Sequence, residues 1–245
     1  MARTRVVGSS SCRTPLPTTD CSAGQERVPR TSVRRTPSMS APTTSVVSIL
    51  AEAQGLGFLG PGAIEPQVEH AQAFRALLGH PRRALDLGSG GGLPGLVLAT
   101  LDPTTAWVLV DAGRRRAAFL REVIDRLGLA ARVTVICSRA EHLGREPGHR
   151  EGYDAVVARS FGSPAVTAEC ASPFIRAGGL LVVSDPPAAG EGRWPVAALA
   201  TLGLSPAAVL DRPALVSFRK SGPTPPRFPR RVGIPSKRPL WGGAT

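Results

Sequence analysis

From residue 82 onward, short apolar runs alternate with longer segments whose apolar residues recur at helical spacing. Apolar runs without strict alternation are typical of strands buried on both faces. The predicted strands span residues 83–87, 106–110, 133–137, 153–158, 180–184, 207–210 and 215–218. The predicted helices span residues 94–101, 114–127, 164–176 and 194–202. This alternation predicts an α/β fold with a doubly wound parallel sheet, in which the last two strands form an antiparallel pair.

A doubly wound sheet binds its ligands beyond the carboxyl ends of the strands, near the point where the strand order reverses. The loops expected at that edge span residues 86–95, 111–114, 138–142 and 158–164. These loops are therefore where candidate functional residues are sought.

Two segments before the sheet, 43–59 and 65–79, also show helical spacing, and a Gly-Pro breaker separates them. They predict a small helical cap over residues 41–80. Residues 1–40 are rich in Ser, Thr, Pro and Arg, lack a hydrophobic period and are expected to be disordered. Two interpretations of this basic segment are open: an organelle transit peptide, or codons upstream of a true start at Met39.

The net charge of +12 lies at the two ends of the chain. Residues 1–40 contain seven bases and two acids, and residues 217–245 contain seven bases and no acid. The body between them, 41–216, contains 16 bases and 16 acids and is neutral. A basic balance indicates a nucleic acid or an anionic surface as a partner. Its placement indicates that the ends, and not the body, face that partner.

The four cysteines, Cys12, Cys21, Cys137 and Cys170, form no CxxC pair and no cluster with histidine. We therefore predict no metal site. Cys137 and Cys170 lie in apolar segments and are expected to be buried, inert thiols. No apolar run reaches the roughly 18 residues of a membrane span, and no secretory signal core is found. The sequence predicts a cytoplasmic protein without a metal ion or a membrane partner.

A glycine-rich loop follows the first strand and opens a helix; its sequence is Asp86-Leu87-Gly88-Ser89-Gly90-Gly91-Gly92-Leu93-Pro94-Gly95. Glycines let the backbone turn sharply and approach a ligand, and the helix N-terminus adds oriented N–H groups. A dinucleotide fingerprint that begins at Gly88 would need glycine where Leu93 stands, and Asp86 is foreign to it. The pattern DxGxGxG is that of S-adenosylmethionine-dependent methyltransferases. A glycine-rich turn without a ligand is the alternative.

Asp111 ends the second strand, 21 residues after Gly90. A carboxylate at this place can accept hydrogen bonds from both hydroxyls of a ribose. This feature is common to dinucleotide sites and methyl-donor sites and does not separate them. The alternative interpretation is a surface acid that faces Arg114, Arg115 and Arg116.

The glycine loop, with its Leu-Pro-Gly ending, resembles that of the glucose-inhibited division protein B family, whose members are small-subunit rRNA guanine-N7 methyltransferases (methyltransferase G). Three further segments resemble the family in the same order: Ser138-Arg139-Ala140-Glu141, Arg159-Ser160-Phe161-Gly162 and the tail 224–240, TPPRFPRRVGIPSKRPL. The resemblance implies a class I methyltransferase fold, which is a Rossmann-like, doubly wound, seven-stranded sheet with a small N-terminal helical cap. Residues 81–218 would form the methyl-donor domain.

The resemblance implies S-adenosyl-L-methionine as the cofactor. Gly88 and Leu93 would border its methionine and ribose, and Ala140 and Glu141 would flank its adenine, where a backbone N–H can bond a ring nitrogen. The predicted cofactor-binding residues are Gly88, Gly90, Leu93, Asp111, Ala140, Glu141 and Arg159.

Arg159 follows the fourth strand and would face the donor. A guanidinium there could hold the donor carboxylate or an RNA phosphate with two hydrogen bonds. A structural salt bridge to Asp154 or Asp185 is the alternative.

The C-terminal segment, 219–245, is basic and rich in proline. Basic side chains neutralise phosphates, and prolines keep a chain extended, so we predict an arm that binds RNA. The predicted RNA-binding residues are Arg227, Arg230, Arg231, Lys237 and Arg238. A solvated tail with no partner is the alternative.

The chain departs from the family in three places. No W-N-x-x-x-N-L-T segment precedes the sheet, and the family's R-H-x-x-D-S is reduced to residues 69–74, of which His70 matches. The fifth strand ends in Ser184-Asp185, where the family usually has a lysine. The departures leave the donor site intact but weaken the assignment of the acceptor. The four histidines are interpreted as surface or packing residues.

These observations predict an S-adenosylmethionine-dependent 16S rRNA (guanine-N7) methyltransferase that acts as a monomer on 16S rRNA or the 30S subunit. The N7 lone pair is nucleophilic without loss of a proton, so in-line placement suffices and no catalytic residue is assigned. Two alternatives are open. One is a diverged paralogue that methylates another RNA or a small molecule, and the other is a non-catalytic RNA-binding protein with a vestigial donor pocket.

Overall fold

The structure, a computed structural model, describes residues 40–186 and 192–242. Of the segment predicted to be disordered, 1–40, all but Ser40 lies outside the described residues, and Ser40 begins a helix. Within them, the strands are β1 Arg83–Leu87, β2 Ala106–Asp111, β3 Val133–Cys137, β4 Tyr153–Ala158, β5 Ile175–Ser184, β6 Leu204–Asp211 and β7 Ala214–Lys220. The α-helices are α1 Ser40–Gly55, α2 Ile64–Ala73, α3 Arg75–Leu78, α4 Gly95–Leu101, α5 Arg114–Arg126, α6 Ala140–Leu143, α7 Pro164–Ala171, α8 Val196–Ala200 and α9 Ile234–Lys237.

The seven described strands form one sheet in the order β3-β2-β1-β4-β5-β7-β6. The first five strands pair in parallel, and β7 lies antiparallel between β5 and β6. The order reverses between β1 and β4, so the carboxyl ends of these two strands frame the switch point at which such sheets bind ligands. The predicted α/β fold with a doubly wound seven-stranded sheet is confirmed.

Both faces of the sheet are covered, which explains the apolar runs of its strands. Leu85 and Leu87 of β1 pack in one buried layer, and Leu109 of β2 and Val157 of β4 pack in the other. Each fully buried leucine stabilises the fold by about 1.5–3 kcal/mol relative to an exposed one. The two layers hold the parallel strands rigidly and thereby fix the loops at their carboxyl ends.

The N-terminal helices pack on the sheet domain beside the glycine loop. Val46 and Leu50 of α1 and Val68 of α2 form one buried cluster with Leu93 of the loop and Val97 of α4. The helical segments predicted over residues 41–80 are present, as α1, α2 and α3. Their position over the loop, which the sequence pattern does not reveal, makes them part of the site.

The predicted helix over 164–176 is wrong at its carboxyl end. The α7 helix ends at Ala171, a 3₁₀ turn follows over Ser172–Phe174, and β5 begins at Ile175, before the glycines that were expected to stop the helix. Gly178 has φ +77°, and a Cβ on Gly179 would lie 2.7 Å from the backbone oxygen of Asp154. The glycines therefore belong to an irregular stretch of the strand, where two backbones approach closely.

Candidate active site

The glycine loop leaves β1 and is tied to the end of β2. The N–H groups of Gly88 and Ser89 both donate to the carbonyl oxygen of Val110, at 2.8 and 3.0 Å. Gly88 and Gly90 have φ of +77° and +55°, a region that favours glycine. A Cβ on Gly88 would also lie 2.6 Å from the ring of Phe161. The glycines are thus required by the backbone and by the close approach of the loop after β4.

Asp86 supports the loop from below. The residue is fully buried, and its Oδ2 accepts a hydrogen bond from the N–H of Gly95 at 3.0 Å, at the start of α4. Its Oδ1 has no hydrogen-bond partner among the described residues. Burial, together with the nearby charge of Asp111, raises the pKa of Asp86 to about 7. Asp86 therefore holds the loop against the helix and does not face the open site.

Asp111 is brought to the loop as predicted. Its Oδ2 accepts a hydrogen bond from the N–H of Gly90 at 2.9 Å, and its Oδ1 accepts from the N–H of Gly113 at 2.7 Å and from Arg116 Nε at 2.9 Å. Asp111 is buried, so it is not the surface acid of the alternative interpretation, although one of the three arginines does pair with it. A carboxylate has about four acceptor positions, so further hydroxyl donors would compete with Arg116.

The loop after β3 lies next to Asp111, because the N–H of Ser138 donates to the backbone oxygen of Asp111 at 3.2 Å. Ala140 and Glu141 begin α6 and are both buried. The Glu141 carboxylate accepts a hydrogen bond from the N–H of Gly233 in the C-terminal tail at 3.0 Å. The Glu141 side chain thus joins the tail to the body, and the proposed contact of this loop with adenine stays a prediction that concerns its backbone.

Arg159 follows β4 and turns towards the N-terminal helices. Its guanidinium donates to the backbone oxygen and to Oε1 of Gln67, at 3.5 and 3.3 Å. Neither predicted alternative is present, because Asp154 pairs with Arg176 and Asp185 pairs with Arg193. None of the ion pairs among residues 40–186 and 192–242 includes Arg159, and burial lowers its pKa.

A cavity of about 200 Å³, which we call the glycine-loop cavity, lies above the loop. The predicted residues Gly88, Gly90, Leu93 and Arg159 line it together. The N-terminal helical region contributes Phe58, Leu59, Gly60 and Gln67. Sequence reasoning missed these last four residues, because nothing in their local pattern distinguishes a lining residue from an ordinary helix or loop residue.

A second cavity, of about 310 Å³, lies beside the first and contains residues that the sequence did not assign. His70, Asp185 and Trp194 line it. The ring of His70 packs against that of Phe74, with centroids 5.9 Å apart, and its Nε2 atom is buried and has no hydrogen-bond partner among the described residues. Burial and the charge of Arg159 lower the pKa of His70. The signal in the sequence was the single histidine retained from the family's R-H-x-x-D-S segment.

The C-terminal tail is folded onto the body and is not the extended arm that was predicted. Phe228 is buried, and Arg150 donates to the carbonyl oxygens of Thr224 and Phe228 at 2.8 and 2.9 Å. Packing of the aromatic ring and these hydrogen bonds override the tendency of a proline-rich segment to stay extended. The tail therefore presents one face to the protein and the other to solvent.

This packing gives Arg230 a structural contact that the sequence did not predict. Its Nε and Nη2 atoms bond the Glu169 carboxylate, with the closest contacts at 2.8 and 2.6 Å, and Glu169 is fully buried. Arg230 thus neutralises a buried charge, and its contact with RNA stays a prediction. The other four predicted RNA-binding residues are exposed; they are Arg227, Arg231, Lys237 and Arg238.

Two further observations concern partners and thiols. Among the described residues, no group of three or more His, Cys, Asp and Glu side chains could hold a metal ion, and no helix is long and apolar enough to span a membrane. Cys170 is buried as expected, but Cys137 is exposed at the end of β3, so that expectation was wrong. Cys12 and Cys21 lie outside the described residues.

Comparison with known proteins identifies similar sequences. A family profile described as rRNA small subunit methyltransferase G matches residues 68–184. The ribosomal RNA small subunit methyltransferase G of Rubrobacter xylanophilus is 39% identical over 202 residues, which cover 74% of this chain and 77% of that protein. The protein of the same name from Pelotomaculum thermopropionicum is 40% identical over 165 residues, 64% of this chain and 69% of that one.

Solved structures of low sequence identity share the fold. A methyltransferase from Geobacter sulfurreducens superposes with a TM-score of 0.55 at 14% identity, over 72% of this chain and 90% of its own. An O-methyltransferase from Bacillus cereus, solved with S-adenosylhomocysteine, has a TM-score of 0.53 at 16% identity, over 72% and 91% of the two chains. At these identities the likeness concerns the architecture.

Proposed function

The chain belongs to the rRNA small subunit methyltransferase G family, and we propose that it transfers the methyl group of S-adenosylmethionine to N7 of a guanine in 16S rRNA. The observation that carries the proposal is the hydrogen bond between Gly90 and Asp111 at the glycine-loop cavity. It joins the loop after β1 to the end of β2 at the switch point of the sheet, where such folds bind nucleoside cofactors.

The residues that line this cavity fit the cofactor, together with Asp111, Ala140 and Glu141, which are not part of its lining. A Cβ on Gly90 would meet nothing closer than the backbone oxygen of Phe58 at 3.6 Å, so the bare glycine leaves open a cradle that a side chain would fill. When bound, S-adenosylmethionine supplies an electrophilic methyl group on a sulfonium. Gly88, Gly90 and Leu93 would hold it against the loop, Asp111 would accept from its ribose, and the backbone at Ala140 and Glu141 would flank its adenine.

The proposed reaction requires no proton transfer by the protein. The N7 atom of guanine attacks with its lone pair and has no proton to lose, so the protein has to exclude water and align acceptor and donor. The N-terminal helical cap contributes to this by closing the cavity from above with Phe58 and Leu59. Arg159, unpaired with any carboxylate, lies between the donor side and the second cavity and can hold an acceptor oxygen.

The exposed bases of the tail support RNA as the acceptor. Arg227, Arg231, Lys237 and Arg238 lie on the solvent face of a segment that is folded onto the body, so each is displayed in a fixed place. Such a patch would bind phosphates with little loss of chain entropy. We further propose that the protein acts as a monomer in the cytoplasm, on the 30S subunit or on free 16S rRNA.

A second acceptor is favoured by one observation. The family's usual lysine at the end of β5 is replaced here by Ser184, and Asp185 next to it lines the second cavity. Ser184 removes the positive charge at that position, and the carboxylate of Asp185 is paired with Arg193. A diverged enzyme with another RNA or a small molecule as acceptor is therefore the second candidate.

Transfer of tritiated methyl groups tests the proposal. The protein is incubated with labelled S-adenosylmethionine and either 30S subunits or naked rRNA from a strain that lacks the gene, and the methylated base is mapped. We expect label at a single guanine, with far less incorporation into RNA from the parent strain, where that position is already methylated. Donor binding without label in either RNA would favour the second acceptor, and no donor binding at all would reject both enzymatic functions.

A further inference from the structure

The second cavity lies between the glycine-loop cavity and a wider groove. Arg159 and Ser160 line both the glycine-loop cavity and the second cavity, so these residues form the wall between them. On its other side the second cavity adjoins a groove of about 1060 Å³, which we call the outer groove. Residues common to the second cavity and the outer groove include His70, Asp185 and Trp194. A ligand in the second cavity would thus reach both solvent and the donor side.

Trp194 stands at the junction of the second cavity and the outer groove and is held in place. Its indole N–H donates to Oδ2 of Asp185 at 3.1 Å, and its ring centroid lies 4.7 Å from that of Phe218, which is buried. The neighbouring backbone is held as well, because the indole of Trp241 donates to the carbonyl oxygen of Arg193 at 3.2 Å. A large aromatic ring fixed on one side and open to two cavities on the other is a ready stacking surface.

Polar side chains line the second cavity beside this ring, and one of them, His70, has a buried atom without a partner among the described residues. The buried Nε2 of His70 makes no hydrogen bond with any described residue, and such atoms in native proteins usually have a ligand or water as partner. Arg159 lies at the wall towards the glycine-loop cavity, where its guanidinium makes two long hydrogen bonds to Gln67 and pairs with no carboxylate among the described residues. Asp185 is the only carboxylate among the described residues that line the second cavity.

We propose that the second cavity binds the acceptor guanine, turned out of its RNA strand, with the ring of Trp194 as its stacking surface and the outer groove as the path of the strand. The inference rests on the proposed function and specifies its acceptor site. Enzymes that modify a base in a strand take it out of the stack and hold it against aromatic side chains.

The wall residues define which edge of the base faces the donor. N7 and O6 lie side by side on guanine and are both acceptors, so an arginine at the wall can bond O6 while N7 points past it. Adenine presents an amino group instead of O6, which the N–H donors of Arg159 would repel. The second cavity therefore discriminates between the purines by the same residue that separates it from the donor.

Trp194 lines the second cavity but not the glycine-loop cavity, so its loss should separate acceptor binding from donor binding. We compare the wild-type protein with Trp194→Ala, Trp194→Phe and a matched control, Val196→Ala, in which an exposed side chain of the next helix is shortened. The dissociation constant of S-adenosylmethionine is measured by calorimetry, methyl transfer to 30S subunits by steady-state kinetics, and folding by thermal melting.

For Trp194→Ala we expect kcat/KM for 30S subunits to fall by about 5- to 100-fold, the worth of one base–aromatic stack, with donor affinity unchanged. Trp194→Phe keeps an aromatic ring and should stay within about threefold of wild type. Unchanged transfer in Trp194→Ala overturns the proposal, as does a loss of donor affinity equal to the loss of transfer.

A second measurement keeps the proposal separate from the proposed function. Guanosine 5′-monophosphate is titrated into the protein saturated with S-adenosylhomocysteine, which fills the donor site, and tryptophan fluorescence is recorded. Quenching in the wild type that is absent in Trp194→Phe, and weaker with uridine 5′-monophosphate, supports the purine pocket. If the wild type methylates no RNA, the proposed function fails, but the titration still tests whether the second cavity binds a guanine. The absence of quenching at millimolar nucleotide would overturn that proposal.

Discussion

The glycine loop and the C-terminal tail both match motifs of the same family, but the structure uses their residues differently. Gly88 and Gly90 line a cavity, and Gly90 keeps it open by having no side chain. In the tail, Phe228 is buried and Arg230 neutralises the buried carboxylate of Glu169. A family motif can therefore mark a contact with a ligand or a contact with the protein itself. The atoms that each residue contacts in the structure show which of these two roles it has.

The difference has a physical origin. The glycine loop acts through its backbone, whose conformation is set within a few residues by glycine's access to positive φ. The tail acts through side chains whose partners lie far away in the sequence, such as Glu169 for Arg230, 61 residues apart. A basic residue that pairs with a buried acid and one that faces solvent look alike in a sequence.

The largest expected effect tests the tail as a structural element. Arg230→Ala removes the charged partner of the fully buried Glu169 and leaves it only the backbone N–H of residue 230, so we expect the free energy of unfolding to fall by about 3–5 kcal/mol. Urea denaturation measures it. The matched control is Arg231→Ala, which removes an exposed base one residue on and should change stability by less than about 0.5 kcal/mol. Equal effects of the two substitutions would mean that the pair with Glu169 has no structural role.

The next prediction concerns the base of the glycine loop. Burial raises the pKa of Asp86 to about 7, so the folded protein keeps a proton that the unfolded chain has lost above about pH 4. The stability that this proton provides is fully present below pH 4 and is lost as the pH rises towards 7. Asp86→Asn cannot ionise, and its stability relative to wild type should rise across this range by up to about 4 kcal/mol.

Asp102→Asn is the control for that pH dependence. Burial would raise the pKa of Asp102, but hydrogen bonds from Thr104 and Thr105 lower it. Its contribution is therefore present above the unfolded pKa and is lost as the pH falls, which is the opposite sign. Chemical denaturation of both variants at several pH values measures how the stability of each, relative to wild type, changes with pH. If the two changes had the same sign, burial would not disfavour the charged form of Asp86.

A third prediction tests the glycine loop as a ligand site. Gly90→Val should weaken S-adenosylmethionine binding by about 10- to 100-fold in calorimetry, because the side chain enters the cradle. Gly128→Val is the matched control: Gly128 also has positive φ, at +66°, but a Cβ there meets nothing within 4 Å. Both variants share the backbone strain, so a similar loss of affinity in the two would assign the effect to strain and not to the cradle.

The smallest expected effect concerns the solvent face of the tail. Arg231→Ala combined with Lys237→Ala removes two exposed charges, and the slope of log binding constant against log salt for rRNA should fall by about two. The control is Arg126→Ala, an exposed base on α5. An unchanged slope in the double variant, or the same change in the control, would place the RNA elsewhere.

Most of the fold followed from local signals. The strands at 83–87, 133–137 and 153–158 agree with β1, β3 and β4 to the residue, because an apolar run bounded by turn residues is a local pattern. The sequence pattern misplaces the boundary between α7 and β5, because a pair of glycines such as Gly178 and Gly179 is typical of a helix end. They lie in the strand, where Gly179 fits closely against the backbone at Asp154.

The site divides in the same way. The loop of Gly88 and Gly90 and its contact with Asp111 could be predicted, because a motif and a strand end define them. The roles of Gln67 and His70 could not, since α2 reaches the site only through packing on α4 and the glycine loop. Asp185 and Trp194 meet across a segment with no motif of its own.

By itself, the sequence determined the order of strands and helices, the glycine loop and the acid that follows β2, because each depends on residues within about ten positions of one another or on the regular alternation of the fold. Only the tertiary structure decided that the helical cap covers the cavity and that Arg230 faces inward. It also decided that Arg159 bonds Gln67, which lies 92 residues earlier in the chain. Contacts between distant segments depend on how whole surfaces pack. The sequence alone does not show whether a given arginine faces a buried acid or solvent.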